Sequence, residues 1–406
     1  MTAPAVATKR DQLKRLSVLI ATACIDMIGF AMVLPLMPFY ALRLRATPET
    51  IGWIIASYSI AQLLFSPVWG RVSDRYGRRP ALLVGLLASA AAYLVFGFAH
   101  TLWLLFASRI IQGAGGGTTG VANAYVADTV EPAHRAQALG WLSAATALGV
   151  MLGPVIGSLA HRLGPEAPGI VAAGLCLLNV MFAWKWLPES RKPVAGNPIK
   201  PRKPVLDAIV SVITRPRSAV PRLIWIYGAG MLGFTAMTSV LALFLGKEFG
   251  VNEDTIGYFF FYVGALGLVM RSLLLGPIVA RVGETGAMRA GTVVLTVGLL
   301  LYPFAHQLWL LALIIPLVPI GTALLFPATT ALISRATDQS ELGTTMGVAQ
   351  TFAGVARVVS PILATAAFQR FGSGMPFYLA AAIVAGVGVL AFRLPQVRPE
   401  PKTESA

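Results

Sequence analysis

Residues 70–82 read GRVSDRYGRRPAL, a charged segment between two apolar stretches. Asp74, Arg75, Arg78 and Arg79 crowd into it, and Gly70 and Gly77 supply backbone freedom for a tight turn. So short and basic a connection is costly to carry across a bilayer, and it marks the cytoplasmic side. On either side the chain is apolar. Of its 406 residues, 56% are hydrophobic and only 12% charged, against about 25% charged in a soluble domain. The composition is that of a polytopic membrane protein.

A helix needs about 20 apolar residues to cross the hydrocarbon core. Twelve such spans are expected, at 16–40, 51–71, 80–98, 102–126, 137–160, 169–187, 220–245, 255–279, 288–305, 308–334, 341–368 and 375–392. The spacing predicts an all-α membrane protein with a six-span half at 1–187, a cytoplasmic linker at 188–219 and a second six-span half at 220–406. The linker holds six prolines and reads as a connector more than a domain. The basic N-terminus leads into an apolar run too long for a signal-peptide core, so the first span is expected to stay as an uncleaved anchor.

The net charge of +15 would suit a nucleic-acid partner only if it lay on one face. Of the 32 Lys and Arg, 24 fall in one alternate set of inter-span segments. Five (Arg43, Arg45, Arg162, Lys247 and Arg370) fall in the other, and Arg109, Arg271 and Arg357 lie inside spans. That bias predicts a multi-pass protein of the cytoplasmic (inner) cell membrane with both termini cytoplasmic, and it excludes nucleic acid. Cys24 and Cys176 sit inside spans as small packing residues. No metal spacing, phosphate-cradling Gly-Lys-Ser/Thr loop or nucleophile–base arrangement is present, so neither an enzyme nor an ATP-driven pump is expected.

The halves repeat. FAHTLWLL at Phe98 answers FAHQLWLL at Phe304, 206 residues on, and ETIGW at Glu49 answers DTIGY at Asp254. GRVSDRYGRRPALLVG at Gly70 answers GPIVARVGETGAMRAG at Gly276, and Gly149-x-x-x-Gly153-Pro154 answers Ala356-x-x-x-Ser360-Pro361. Four matches in one order at nearly one interval indicate two parallel six-helix repeats. The second charged segment is degenerate, with Ala280 for Asp74 and Glu284 and Thr285 for Arg78 and Arg79. An electrostatic latch is therefore expected mainly in the first half.

Charged residues within spans are functional candidates. Asp26 lies about 15 Å into the first span and Arg109 about 10 Å into the fourth, at 1.5 Å per residue. Asp26 has two readings: a proton carrier or cation site, or a fixed ion pair with Arg109 that holds it ionised. Phe30 shares its helical face. In a continuous fourth span, Arg109, Gln112, Gly113, Gly116, Gly120 and Asn123 share one broad face. Gly149, Gly153 and Gly157 make a groove for close helix packing, with Pro154 as a kink or hinge. Asp74, Arg78 and Asp128 form a candidate cluster at one end of the bundle. Gln350 and Arg357 share a face of span eleven, and Arg271 and Arg357 either bind an anionic group or balance acidic helix ends.

GRVSDRYGRRPAL resembles the signature loop between the second and third helices of the major facilitator superfamily. CIDMIGFAMVLPLMP and VADTVEPAHRAQALGWLSAATALGVMLGPVIG resemble its twelve-helix drug:proton antiporter branch, tetracycline-efflux proteins in particular. The resemblance covers nearly the whole chain. It implies the major facilitator fold with a midplane cavity between pseudo-symmetric halves, and export by alternating access driven by inward proton flow. It also implies proton coupling at Asp26 and Arg109, the latter opening an Arg-x-x-x-Gly signature with Gly113. Phe30, Gln112, Asn123, Arg271, Gln350 and Arg357 would line the substrate cavity. Gly70, Asp74, Arg75, Gly77, Arg78, Arg79 and Asp128 would gate, and Gly149, Gly153, Pro154 and Gly157 would form the antiporter motif. Expected partners are a small-molecule substrate, protons and the lipid bilayer, with no cofactor beyond the proton gradient and a monomeric chain. The sequence departs from the tetracycline pattern at two acids: the third span carries Ala92 where one is expected, and the ninth has none. Three interior arginines against one acid keep an alternative open, namely export, flipping or uniport of an anionic metabolite or lipid-like substrate.

Overall fold

A computed structural model describes residues 9–131, 134–190, 205–216, 218–338 and 341–393. Among these the chain is helical, without strands. In order the helices are α1 (Lys9–Val33), α2 (Met37–Arg43), α3 (Pro48–Tyr76), α4 (Arg78–Gly97), α5 (Leu102–Gly115), α6 (Thr118–Thr129), α7 (Arg135–His161) and α8 (Ala167–Trp186). They continue as α9 (Val205–Thr214), α10 (Ala219–Phe249), α11 (Ile256–Val269), α12 (Leu275–Leu301), α13 (Leu308–Ile314), α14 (Leu317–Arg335), α15 (Leu342–Phe371) and α16 (Met375–Phe392).

Ten stretches among the described residues are long and apolar enough to cross a membrane. One of them, Ile256–Phe304, has 49 residues and breaks at Gly283, so it holds two spans. Residues 102–129, interrupted between α5 and α6, supply the twelfth. The expected linker is not all connector, because α9 is a ten-residue helix inside it. The Trp225 indole donates to the Val212 carbonyl at 3.2 Å, tying α9 to α10. Residues 191–204 of the linker lie outside the described residues.

The chain forms two compact units. The first holds residues 1–46, 57–198 and 251–264; the second holds 47–56, 199–250 and 265–406. In the first, Leu16, Leu19, Leu82, Tyr125, Val126, Leu142 and Leu187 belong to one buried cluster. In the second, Phe244, Tyr302 and Phe377 are buried together, with ring centroids 4.9 Å and 5.2 Å from Phe377. Each unit borrows a short segment from the other repeat, and the two seatings match. Gly257 sits on α7, where a Cβ would stand 2.4 Å from the Pro154 carbonyl oxygen. Gly52 sits on α15, where a Cβ would stand 2.7 Å from the Pro361 carbonyl oxygen. Only glycine lets a second backbone come this near to either carbonyl.

Candidate functional site

The charged segment that opened the sequence reading is almost entirely helical. Asp74 and Arg75 occupy the last turn of α3, Arg78 and Arg79 the first turn of α4, and Gly77 alone joins them at φ 107° and ψ 160°. Gly70 does not make the turn: it lies within α3, and a Cβ there would meet nothing within 4 Å. Arg78 is the hub. Its Nη1 is 2.8 Å from Asp74 Oδ1 and donates to Ser73 Oγ at 2.7 Å; its Nε donates to Asp128 Oδ2 at 2.9 Å. The Arg78 side chain is only 8% exposed, so these partners replace lost water. Arg75 stacks over Tyr76 at 5.4 Å, and Arg79 donates to the Trp184 carbonyl.

Glu189 was missing from the sequence expectations. It follows α8 and accepts the backbone N–H groups of Arg78 and Arg79 at 2.8 Å and 3.1 Å. Those donors head α4 and have no partner within the helix, so a carboxylate there caps it. The available signal was an acid two residues past the end of span six, in Leu187-Pro188-Glu189.

In the second repeat, Gly283 breaks α12 at φ 72° and ψ 171°. Glu284 Oε1 then pairs with Arg335 Nη2 at 2.9 Å. The counterpart hairpin is therefore not simply degenerate. It keeps an ion pair with the signs reversed, while the more extensive network stays at Arg78.

Asp26 is 7% exposed on α1. It accepts a hydrogen bond from Thr118 Oγ1 at 3.0 Å. Among the described residues it makes no ion pair, so the fixed pairing with Arg109 is not formed. It lines a recess of about 190 Å³ within the first unit, together with Thr22, Thr118, Thr119, Asn123, Ser143 and Thr146. Leu19, Leu82, Leu86 and Leu142 supply its apolar wall. The Thr22 hydroxyl there is buried without a hydrogen-bond partner.

Arg109 is 2% exposed, and its guanidinium lies 5.7 Å from the Phe96 ring centre. Among the described residues its Nη2 has no hydrogen-bond partner, and neither has Gln112 Oε1. Gln112 Nε2 donates to the Tyr93 hydroxyl at 2.9 Å. Tyr93, which sequence reasoning passed over, is within electrostatic reach of both Asp26 and Arg109. Gly29 makes room for it: a Cβ there would stand 3.2 Å from Tyr93 Cε2. Phe30 packs on Tyr58 with ring centroids 5.4 Å apart.

The single face expected for span four does not exist, because α5 stops at Gly115 and α6 starts at Thr118. Arg109, Gln112 and Gly113 ride on one segment, and Gly120 and Asn123 on the other. Gly113, Gly115 and Gly117 each touch a neighbour too closely for a side chain, whereas a Cβ at Gly120 would meet nothing.

The α7 glycines make the groove expected of them, and its occupant is the helix that carries Asp26. Cβ atoms at Gly149, Gly153 and Gly157 would stand 2.5 Å, 2.6 Å and 2.5 Å from the carbonyl oxygens of Cys24, Ile28 and Met32. Small residues four apart let the two backbones approach.

In the second unit Arg271 occupies a π-helical turn, Met270–Leu274, between α11 and α12. It interacts electrostatically with Tyr227, whose hydroxyl accepts from Gln350 Nε2 at 3.3 Å. Neither Arg271 nor Arg357 has an ion-pair partner among the described residues.

Known proteins share this arrangement. The sequence profile described as Major Facilitator Superfamily matches residues 19–286 and 223–406. The class C tetracycline resistance protein of Escherichia coli is 30% identical over 389 residues, 91% of this chain and 94% of that protein. The class B tetracycline resistance protein of Escherichia coli is 28% identical over 349 residues, 84% of each. The solved structure of the human organic anion transporter MFSD10 (TETRAN) aligns with a TM-score of 0.69 at 21% identity, covering 94% of this chain and 99% of that one, which shows a common fold. Twelve spans in two repeats, a glycine-turned charged hairpin in each, and family matches along nearly the whole length lead to one assignment: the chain belongs to the Major Facilitator Superfamily.

Proposed function

We propose that this protein is a proton-coupled exporter of drugs or other small amphipathic molecules, working by alternating access in the cytoplasmic membrane with both termini inside. One observation carries the reading. Among the described residues Asp26 is the one acid placed deep within a span; it lies in a hydroxyl-lined recess on a helix seated in the α7 glycine groove, and among those residues it makes no ion pair with Arg109, whose Nη2 has no hydrogen-bond partner. A carboxyl so placed can take up and release a proton without breaking a salt bridge, and a ligand reaching the recess competes with that proton. Alternating access by the halves 1–187 and 220–406 carries the substrate across, and the Asp74–Arg78–Asp128 cluster in the first half biases one of the two states. The relatives are named for tetracycline resistance. Asp26 is the single acid available here for such coupling in the third, ninth or first span, so substrates of other chemistry belong in the test.

Proton release from the purified protein on adding cationic, zwitterionic and anionic compounds tests this, with Asp26→Asn as control. Release by one class, lost in Asp26→Asn, is the expected result; release unchanged in that variant removes Asp26 from the coupling. A second reading, transport of an anionic substrate, rests on Arg271 and Arg357, which have no ion-pair partner among the described residues. It predicts that Arg271→Ala or Arg357→Ala abolishes anion transport and leaves efflux of cations intact.

A further inference from the structure

The break in span four is built rather than tolerated. Where a helix stops inside a membrane span its carbonyls lose their partners, and other groups must satisfy them. The Trp69 indole donates to the Ala114 carbonyl, and Gln62 Nε2 donates to the Gly116 carbonyl at 3.3 Å. Both donors come from α3. Glycine is required on each side of the gap: a Cβ at Gly117 would stand 2.4 Å from Trp69 Cγ, and one at Gly115 2.7 Å from Ala88 Cβ. Thr118, the first residue past the break, is the hydrogen-bond partner of Asp26. Arg109 lies on the segment before it.

The two ends of this one span offer Asp26 different chemistry. A threonine hydroxyl donates to a carboxylate and accepts from a carboxylic acid, so it suits both protonation states. A guanidinium has donors only and suits the ionised state alone. The geometry points to Thr118 as the positioning residue for Asp26. It holds the carboxyl on the α6 side of the break, with no ion pair to Arg109 among the described residues, in an arrangement open to protonation. The inference rests on the proton-coupled reading given above. The other groups facing Asp26 are few. Tyr93 on α4 and Cys176 on α8 are within its electrostatic reach, Arg109 on α5 lies near Tyr93, and Cys24 is two residues away on α1. From α6 and α7 the recess is lined by uncharged side chains, of which Thr118, Thr119, Asn123, Ser143 and Thr146 are polar.

The test is the pH profile of transport in vesicles reconstituted with full-length protein, comparing wild type, Thr118→Val, Thr118→Ser and Asp26→Asn. Thr118→Val keeps the shape and removes the hydroxyl, and is expected to displace the profile toward higher pH by up to about one unit, because the hydroxyl holds the carboxylate more strongly than it holds the acid. Thr118→Ser restores the wild-type profile, which a packing role alone would not require. A Thr118→Val profile coincident with wild type, with Asp26→Asn inactive, overturns the positioning role and leaves the proposed function standing. Proton-coupled transport by Asp26→Asn removes Asp26 from the coupling and overturns this inference with it, whereas wild-type transport that ignores the proton gradient overturns the proposed function itself. Should Thr118→Val fail to fold, Thr118→Ala and the infrared carboxyl-stretch band that is absent in Asp26→Asn decide. A band unmoved between wild type and Thr118→Ala sinks the proposal.

Discussion

Gly77, at φ 107° and ψ 160°, and Gly283, at φ 72° and ψ 171°, bend the chain at the same place in two repeats, 206 residues apart. Beyond the bend the charges reverse. Arg78 pairs with Asp128 in the first repeat, and Glu284 pairs with Arg335 in the second. Arg335 follows Asp128 by 207 residues, the interval that also separates Pro154 from Pro361. The backbone demand is therefore common to both halves, while the sign of the pair is free to invert. The inversion has a cost only in the first half, where Arg78 and Arg79 begin α4 against the positive end of its dipole. Glu189 offsets it by taking the backbone donors of both residues. In the second half Glu284 itself lies at the favourable end, and the residue equivalent to Glu189, 207 positions on, is the uncharged Gln396, outside the described residues.

The comparison can be broken most forcefully at Arg78. Arg78→Ala strands Asp128 beside a buried site and should cost about 3 kcal/mol of stability, read as a lowered melting temperature of the purified protein. Gly77→Ala and Gly283→Ala come next, each at about 2 kcal/mol because both backbones lie in a region essentially reserved for glycine. The loss should be larger at Gly77, where a Cβ would meet Glu189 Oε2 at 2.4 Å; equal losses would show that Glu189 yields freely. Glu189→Gln should cost about 1 kcal/mol by taking the negative charge away from the N-terminus of α4. Glu284→Ala should be the mildest, below about 1 kcal/mol, since Arg335 is 69% exposed. A Glu284→Ala loss as large as that of Arg78→Ala would mean that both halves latch equally.

Much of the architecture was legible because its signals are local or periodic. Apolar runs of span length, alternate basic connections and the two FAH-x-LWLL matches each declare themselves within a few residues. The α7 groove could also be anticipated, since glycines four apart share one helix face whatever they pack against. Its occupant could not, because the Cys24, Ile28 and Met32 carbonyls lie more than a hundred residues away. Span four misled in an instructive way. Its apolar length predicted one continuous helix, and Gly113, Gly116 and Gly120 read as part of one face rather than as the sign of a break. Glycine lowers the cost of interruption without requiring one; Trp69 and Gln62 make it affordable.

What the amino-acid sequence determined by itself is the set of spans, their repeat, and where charge and glycine fall along them, because the bilayer imposes length and polarity on each segment separately. What only the tertiary structure decided is which partner each buried polar group takes. Asp26 holds to Thr118 rather than Arg109, Glu189 caps α4, and Arg335 answers Glu284. Each choice depends on hydrogen-bond distances of about 3 Å between residues distant in the chain, and no local pattern encodes them.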